Sequence, residues 1–230
     1  AANFEILDLN AAYTRLRLVK SAEEIDWVRI GAWLSDRAIH ALLAELRSGV
    51  TERDLWRLTE SAYQGEGGTT WIHYFGTTPM SAPTVCVPAQ YPSTRRIEPG
   101  DVVFTEISAQ FWDYPGQVLR TFTVEAEPTP LYRDLHATAE AALAAVLGEV
   151  KAGATMAALV DASCVVEEAG FTTCDDLVHG FVGGYFPPVL GSRSRPAGPL
   201  PDLVLEAGMT IVVQPNVVTE EGNAGVQTGE

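Results

Sequence analysis

Glu98-Pro99-Gly100-Asp101-Val102-Val103-Phe104-Thr105-Glu106-Ile107 is the stretch whose reading decides the fold. Adjacent Pro and Gly punctuate a turn, and the β-branched and aromatic run behind them has the composition of a strand. Period-two alternation sets Glu106 on the face of Val102 and Phe104, so a carboxylate stands on an apolar surface. Such a group needs Arg120, a ligand cation or a proton of its own to be tolerated. A returning strand, Val118 to Val124, follows Asp113-Tyr114-Pro115-Gly116, which reads as the turn of a hairpin.

Working outward, Ser21-Ala22-Glu23-Glu24 is a capping-box pattern, and Ile25, Val28, Ala32, Ile39, Leu42 and Leu46 recur at helical spacing, so a long helix runs to about Arg47. Gly49-Val50-Thr51 interrupts it, and Thr51 with Asp54 starts a second helix ending near Gly65. Thr69 to Val87 is aromatic and β-branched. Beyond the hairpin, Leu131 to Val150 and Thr155 to Ala169 read as helices, a strand lies around Val178, Pro187 to Pro201 is a Pro/Gly/Arg loop, and Met209 to Val213 is the last clear strand.

This order of helix, helix and strands occurs twice, and short motifs repeat with it. Gly49-x-Thr51-x-x-x-Leu55 returns as Gly153-x-Thr155-x-x-x-Leu159, and Glu98-x-Gly100 followed by Glu106 returns as Glu206-x-Gly208 followed by Gln214. An internal duplication and a pseudo-twofold fold follow, with Glu106 and Gln214 facing one another in a central cleft.

The 230 residues are 47% hydrophobic and 20% charged, enough to bury a full core, so disorder and coiled coil are excluded. A balance of 15 Lys+Arg against 30 Asp+Glu, net −15, repels phosphate backbones and anionic lipid, so neither nucleic acid nor membrane is expected as a partner. With no apolar run long enough to span a bilayer and no signal pattern, a cytoplasmic setting is expected. Cys86, Cys164 and Cys174 lack C-x-x-C spacing and read as reduced core thiols. A start at Ala1 and an end straight after a strand pattern read as a fragment.

Gly100 to Glu106 with Leu119-Arg120-Thr121-Phe122-Thr123-Val124, then Val178-His179-Gly180-Phe181-Val182-Gly183, then Glu206-Ala207-Gly208-Met209-Thr210-Ile211-Val212-Val213-Gln214-Pro215, resembles the creatinase/aminopeptidase family. The likeness covers about Leu16 to Glu230. It implies an α+β pita-bread fold, two pseudo-twofold-related α-α-β halves around a curved antiparallel sheet. It also implies that residues 1–20 are a linker from a missing N-terminal domain, and that residues 21–230 are the catalytic-type domain with a final strand lost.

Peptidases of this family hold two divalent metals with two Asp, one His and two Glu, and those positions carry across one at a time. The first Asp falls on Glu106, the second on Gln117, the His on His179, the first Glu on Gln214 and the last Glu on Gly229; a further expected His falls on Ala89. One carboxylate cannot balance two dications, and a glutamine in place of a glutamate keeps hydrogen bonding while losing charge. No metal is therefore expected; Mn, Co or Zn enters only if the register differs and Asp113, Glu220, Glu221 or Glu230 supplies ligands. One member, creatinase, hydrolyses a C–N bond without metal by a histidine and carboxylates that bind a guanidinium, an analogy only.

The candidate catalytic residues are thus His179, as general acid/base, and Glu106, orienting it or binding a cationic group. Gly180 and the Gly183-Gly184 pair leave open backbone for a ligand. Candidate substrate-binding residues are Gln117, Gln214, Asn216, His73 and Arg120, and metal ligands none. A small-molecule or short-peptide substrate and a homodimer are expected. The leading reading is a metal-independent C–N hydrolase. A catalytically silent binding module for a peptide or metabolite, and a metal-dependent Xaa-Pro-type peptidase, stand beside it.

Overall fold

The computed structural model describes residues 7–182 and 184–230. Gly183 and the first six residues of the expected linker lie outside the described residues. The rest of that linker contains a helix, α1 (Asn10–Leu18), whose Arg17 guanidinium lies 4.9 Å from the Phe186 ring centre.

Two reciprocal capping boxes open the next helices, as their motifs predict. In α2 (Ala22–Glu45) the Glu24 N–H donates to Ser21 Oγ at 3.2 Å, and the Ser21 N–H donates to the Glu24 carboxylate at 2.8 Å. Thr51 and Asp54 make the same pair ahead of α3 (Glu52–Gln64). Each cap answers amide donors that have no partner within the helix, for about 1 kcal/mol.

The antiparallel strands β1 (Thr69–Pro79), β2 (Asp101–Phe111) and β3 (Tyr114–Thr123) form a sheet in that order. The β2–β3 hairpin turns on Trp112 and Asp113, at φ 49° and 65°, so the expected turn at Asp113 to Gly116 is displaced. Two successive positive φ values match the strand twist, and Pro115 and Gly116 belong to β3. Gly116 answers packing: a Cβ there would lie 2.3 Å from the backbone of Ala32, and one on Gly31 would lie 2.2 Å from Tyr114 O. Helix α2 therefore rests directly on the strand backbone, and Ser35 Oγ, 2.6 Å from Gly116 O, donates to it.

The second half repeats the plan. Thr129 caps α4 (Pro130–Glu149), with Pro130 in the first turn, where no amide donor is needed. The single helix expected over Thr155 to Ala169 is two, α5 (Met156–Ala162) and α6 (Val165–Glu168). Ser163, between them, turns its hydroxyl back on Val160 O, offering the backbone an alternative to helix. Beyond lie β4 (Thr172–Thr173), β5 (Val178–Phe181), β6 (Tyr185–Leu190), β7 (Ile211–Val213) and β8 (Val217–Val218). The β6-β5-β7 sheet is antiparallel, and β4 pairs with β8. Pro187 to Leu190, expected as loop, lie in β6, an edge strand where missing amide donors cost little.

The duplication is visible in the backbone. Gly49 and Gly153 adopt φ 88° and 87°, and Gly100 and Gly208 adopt 88° and 93°. The Gly49 N–H donates to Ile97 O at 2.8 Å, and the Gly153 N–H donates to Leu205 O at 2.7 Å. Ile97 returns a bond to Val50 O, and Leu205 returns one to Ala154 O, both 2.9 Å. The cleft lies where strands of the two halves meet, bridged at Leu119 and Gly229.

Candidate functional site

Strand register decides which side chains reach this cleft. In an antiparallel pair, residues directly opposite point to one face. Glu106 is paired with Tyr74 and Leu119, and Gln117 stands two residues from Leu119, so Glu106, Tyr74 and Gln117 project together. Arg120 is paired with Thr105 and His73 with Ile107, so both belong to the opposite face.

The cleft on the first face, about 470 Å³, is lined by Glu106, Gln117, Gln214 and His179, all four expected from sequence. The Gln117 amide joins the halves: its Nε2 donates to Glu106 Oε1 at 3.1 Å and to Gln214 Oε1 at 2.9 Å. Gln214 Nε2 in turn donates to Asp176 O at 3.3 Å. Glu106 and Gln214 thus share one donor, as the duplication requires.

His179 is 3% exposed, with Nδ1 3.2 Å from Gly180 O and its ring against Phe181 and Tyr185. Burial pulls its pKa below the ordinary value, against opposing pulls from Asp176, Gly180 O and Gln214. The carboxylate nearest the imidazole is Asp176, with Oδ2 3.9 Å from Nε2; Glu106 is engaged with Gln117 instead. Burial first, then the charges of Asp175 and Asp176, push Glu106 up to about 8, so near neutral pH it keeps its proton.

Other expectations meet a different geometry. Arg120 donates to Leu119 O and Gly229 O, both 2.9 Å, and pairs with Glu230 at 3.1 Å. His73 is fully buried beneath α3, with Nε2 2.6 Å from the Tyr63 hydroxyl. Asn216, also fully buried, leaves both amide atoms without partners. None of these three lines the cleft. Gly180 gives no ligand room, because a Cβ there would lie 2.3 Å from Pro187 O; its bareness serves the β5–β6 contact. The three cysteines are free and half-buried.

Asp175, Asp176, Tyr185 and Trp71 also line the cleft. None of the four was among the candidate site residues. Cys174-Asp175-Asp176 ahead of Val178-His179 was the signal for the two acids, since a non-glycine residue in a tight turn favours Asp. Asp175 takes φ 56° there.

This donor set does not fit a dinuclear metal centre. At the five positions stand one carboxylate, one imidazole, two neutral amides already bonded to each other, and Gly229, which has no side chain. Among the described residues no three His, Cys, Asp or Glu side chains are arranged to hold an ion.

Two α-α-β halves closing on a cleft between their strands define a pita-bread protein. The sequence profile of metallopeptidase family M24 matches residues 26–230, and the chain belongs to that family. It is 26% identical over 204 residues to the Xaa-Pro dipeptidase of Pyrococcus furiosus, covering 88% of this chain and 56% of that one. It is 23% identical over 231 residues to the uncharacterized peptidase YqhT of Bacillus subtilis, covering 97% and 62%. The fold superposes on the prolidase from Pyrococcus furiosus with TM-score 0.82 at 22% identity, covering 96% of this chain and 64% of that one. On the dipeptidase PepE from Mycobacterium ulcerans the TM-score is 0.83 at 23% identity, covering 96% and 58%. The chain spans about three fifths of the length of the curated relatives it matches. No helix of the described residues is long and apolar enough to cross a membrane.

Proposed function

We propose that the cleft hydrolyses a C–N bond of a small molecule or short peptide, with protons moved by His179 and Glu106 and not by a metal-bound water. The neutral imidazole takes a proton from water as the water oxygen bonds to the carbon. The protonated Glu106 carboxyl gives one to the departing nitrogen as the C–N bond breaks. The observation that carries this reading is the pair of neutral proton carriers on one cleft: burial raises Glu106 to about 8 and lowers His179, so acid and base coexist near neutral pH. Asp176, close to Nε2, is suited to hold the imidazolium that forms. The test is turnover of a panel of amide, amidino and imino-acid substrates with chelator present, in wild type, His179→Ala and Glu106→Gln. Loss of turnover with retained ligand binding in both variants supports the reading. Turnover abolished by chelator and restored by Mn would replace it with the metal-dependent Xaa-Pro-type peptidase.

A second reading has its own observation. Gln117 and Gln214 close on each other at 2.9 Å across the seam of the two halves, a neutral bridge that suits a cleft holding a peptide or metabolite without turnover. Ligand binding with no turnover on any substrate of the panel would favour it.

A further inference from the structure

The walls of the cleft carry three acids, and their one basic side chain is the His179 imidazole. Glu106, Asp175 and Asp176 all line it, and no Lys or Arg does. Neither Asp175 nor Glu106 forms an ion pair with any cationic side chain among the described residues. Elsewhere the buried acids are answered by donors: Asp101, 1% exposed, takes both nitrogens of Arg95 at 2.6 and 2.9 Å, and Glu52 accepts from the Thr77 hydroxyl and the Ser93 N–H, both at 2.6 Å. In the cleft, Asp176 Oδ2 is buried with no hydrogen-bond partner. A carboxylate oxygen left so is costly unless something donates to it.

Gln117 gives an independent indication. It is 8% exposed, and its Nε2 is committed to Glu106 and Gln214, which fixes the amide's orientation and leaves Oε1 buried, cleft-lining and without a donor. A carbonyl oxygen without a donor, and a carboxylate oxygen whose nearest imidazole nitrogen stays 3.9 Å away, beyond hydrogen-bond reach, ask for a ligand rich in N–H groups. Around them stand Trp71, Tyr74 and Tyr185, whose ring faces attract cations. In a chain of net charge −15, field lines from such a recess favour a cation at entry.

We infer that the Asp175-Asp176 corner of the cleft binds the ammonium, amidinium or guanidinium end of a small organic cation, with Gln117 Oε1 accepting a further N–H and the aromatic rings flanking the charge. This goes beyond the hydrolytic reading, because it assigns the ligand's charge and places it on residues outside the proton-moving pair. It stands whether or not the ligand is turned over. A metal ion is the poorer occupant, since these carboxylates do not converge with a third ligand, and aromatic faces offer a dication no oxygen donors.

The experiment is calorimetry on the full chain at pH 7 with benzylamine, its neutral isostere benzyl alcohol, and benzoate, repeated with Asp175→Asn/Asp176→Asn and with His179→Ala. Benzylamine should bind at least tenfold more tightly than benzyl alcohol, benzoate should not bind, and the double Asn variant should lose tenfold or more of the benzylamine affinity. The His179→Ala variant should keep it, which separates this site from the proton-transfer reading. Thermal unfolding of the double variant without ligand should be unchanged or raised, so that lost affinity is not lost fold. Equal binding of benzylamine and benzyl alcohol, full affinity in the double Asn variant, or binding of MnCl2 in place of benzylamine would overturn the assignment.

Discussion

The Tyr185 ring stacks on the His179 imidazole, with centroids 4.7 Å apart and planes 28° from parallel. Tyr185 is itself 57% exposed, so an exposed, removable side chain covers one face of the buried imidazole. Since burial is the largest cause of the lowered His179 pKa, Tyr185→Leu should raise it toward the ordinary value. Imidazole NMR titration of both proteins reads the shift; an unchanged His179 pKa would show that other walls keep water out.

Glu106 makes stability depend on pH in a defined direction. Its folded pKa, about 8, exceeds the ordinary value of 4.5, so the folded state holds a proton that the unfolded chain releases between those values. Stability from this group is complete below about pH 4.5, falls as pH rises, and levels off above about 8. Glu106→Gln removes that fall. Melting temperatures of the variant and wild type should diverge from pH 5 to pH 8, with the variant ahead at the alkaline end.

His73 acts with the opposite sign. Burial lowers it from 6.5 to about 4, so between those values the unfolded chain takes a proton that the folded core refuses. Stability is intact above about pH 6.5 and lost as pH falls to about 4, by on the order of 3 kcal/mol. His73→Phe retains a ring beside Trp56 and leaves the Tyr63 hydroxyl bonded to Thr70. Urea unfolding from pH 4 to pH 7 should show a shallower pH slope in the variant.

Gly116→Ala should cost about 2–3 kcal/mol, the range for overpacking where backbone has to move. The atoms in the way are main-chain atoms of α2, which cannot rotate aside. Chemical denaturation checks the stability. A smaller loss than that of Ala109→Gly, which adds no volume, would show that α2 shifts freely.

Elemental analysis after dialysis should find less than one Mn, Co, Zn or Fe per chain, because two of the five family ligand positions are amides engaged with one another. About two metals per chain would overturn this and mean that side chains other than the two amides complete a centre.

What could be read in advance was whatever short-range chemistry specifies. Ser21 with Glu24 and Thr51 with Asp54 announce helix starts within four residues, and the repeated Gly49 and Gly153 mark positions that need positive φ. Glu106 and Gln214 were placed in the cleft by the internal repeat, and Gln117 and His179 by the family resemblance; all four line it. Asp175, Asp176 and Tyr185 were not foreseen there, since a turn at φ 56° and the pairing of β5 with β6 bring them to the imidazole. Arg120 and His73 were assigned to the cleft without regard to parity; one residue along a strand reverses the face. Helix α1 carries no side-chain cap or acidic first turn, so nothing local announced it.

The amide bridge from Gln117 to Gln214 has no proton to gain or lose at any ordinary pH, whereas Glu106, Asp175 and His179 hang beside it with shifted titrations. Width and charge in this cleft are therefore controlled separately. Acidity changes in the surroundings retune what the recess attracts while the gap between the two halves stays the same, much as a vice with fixed jaws can be fitted with different linings.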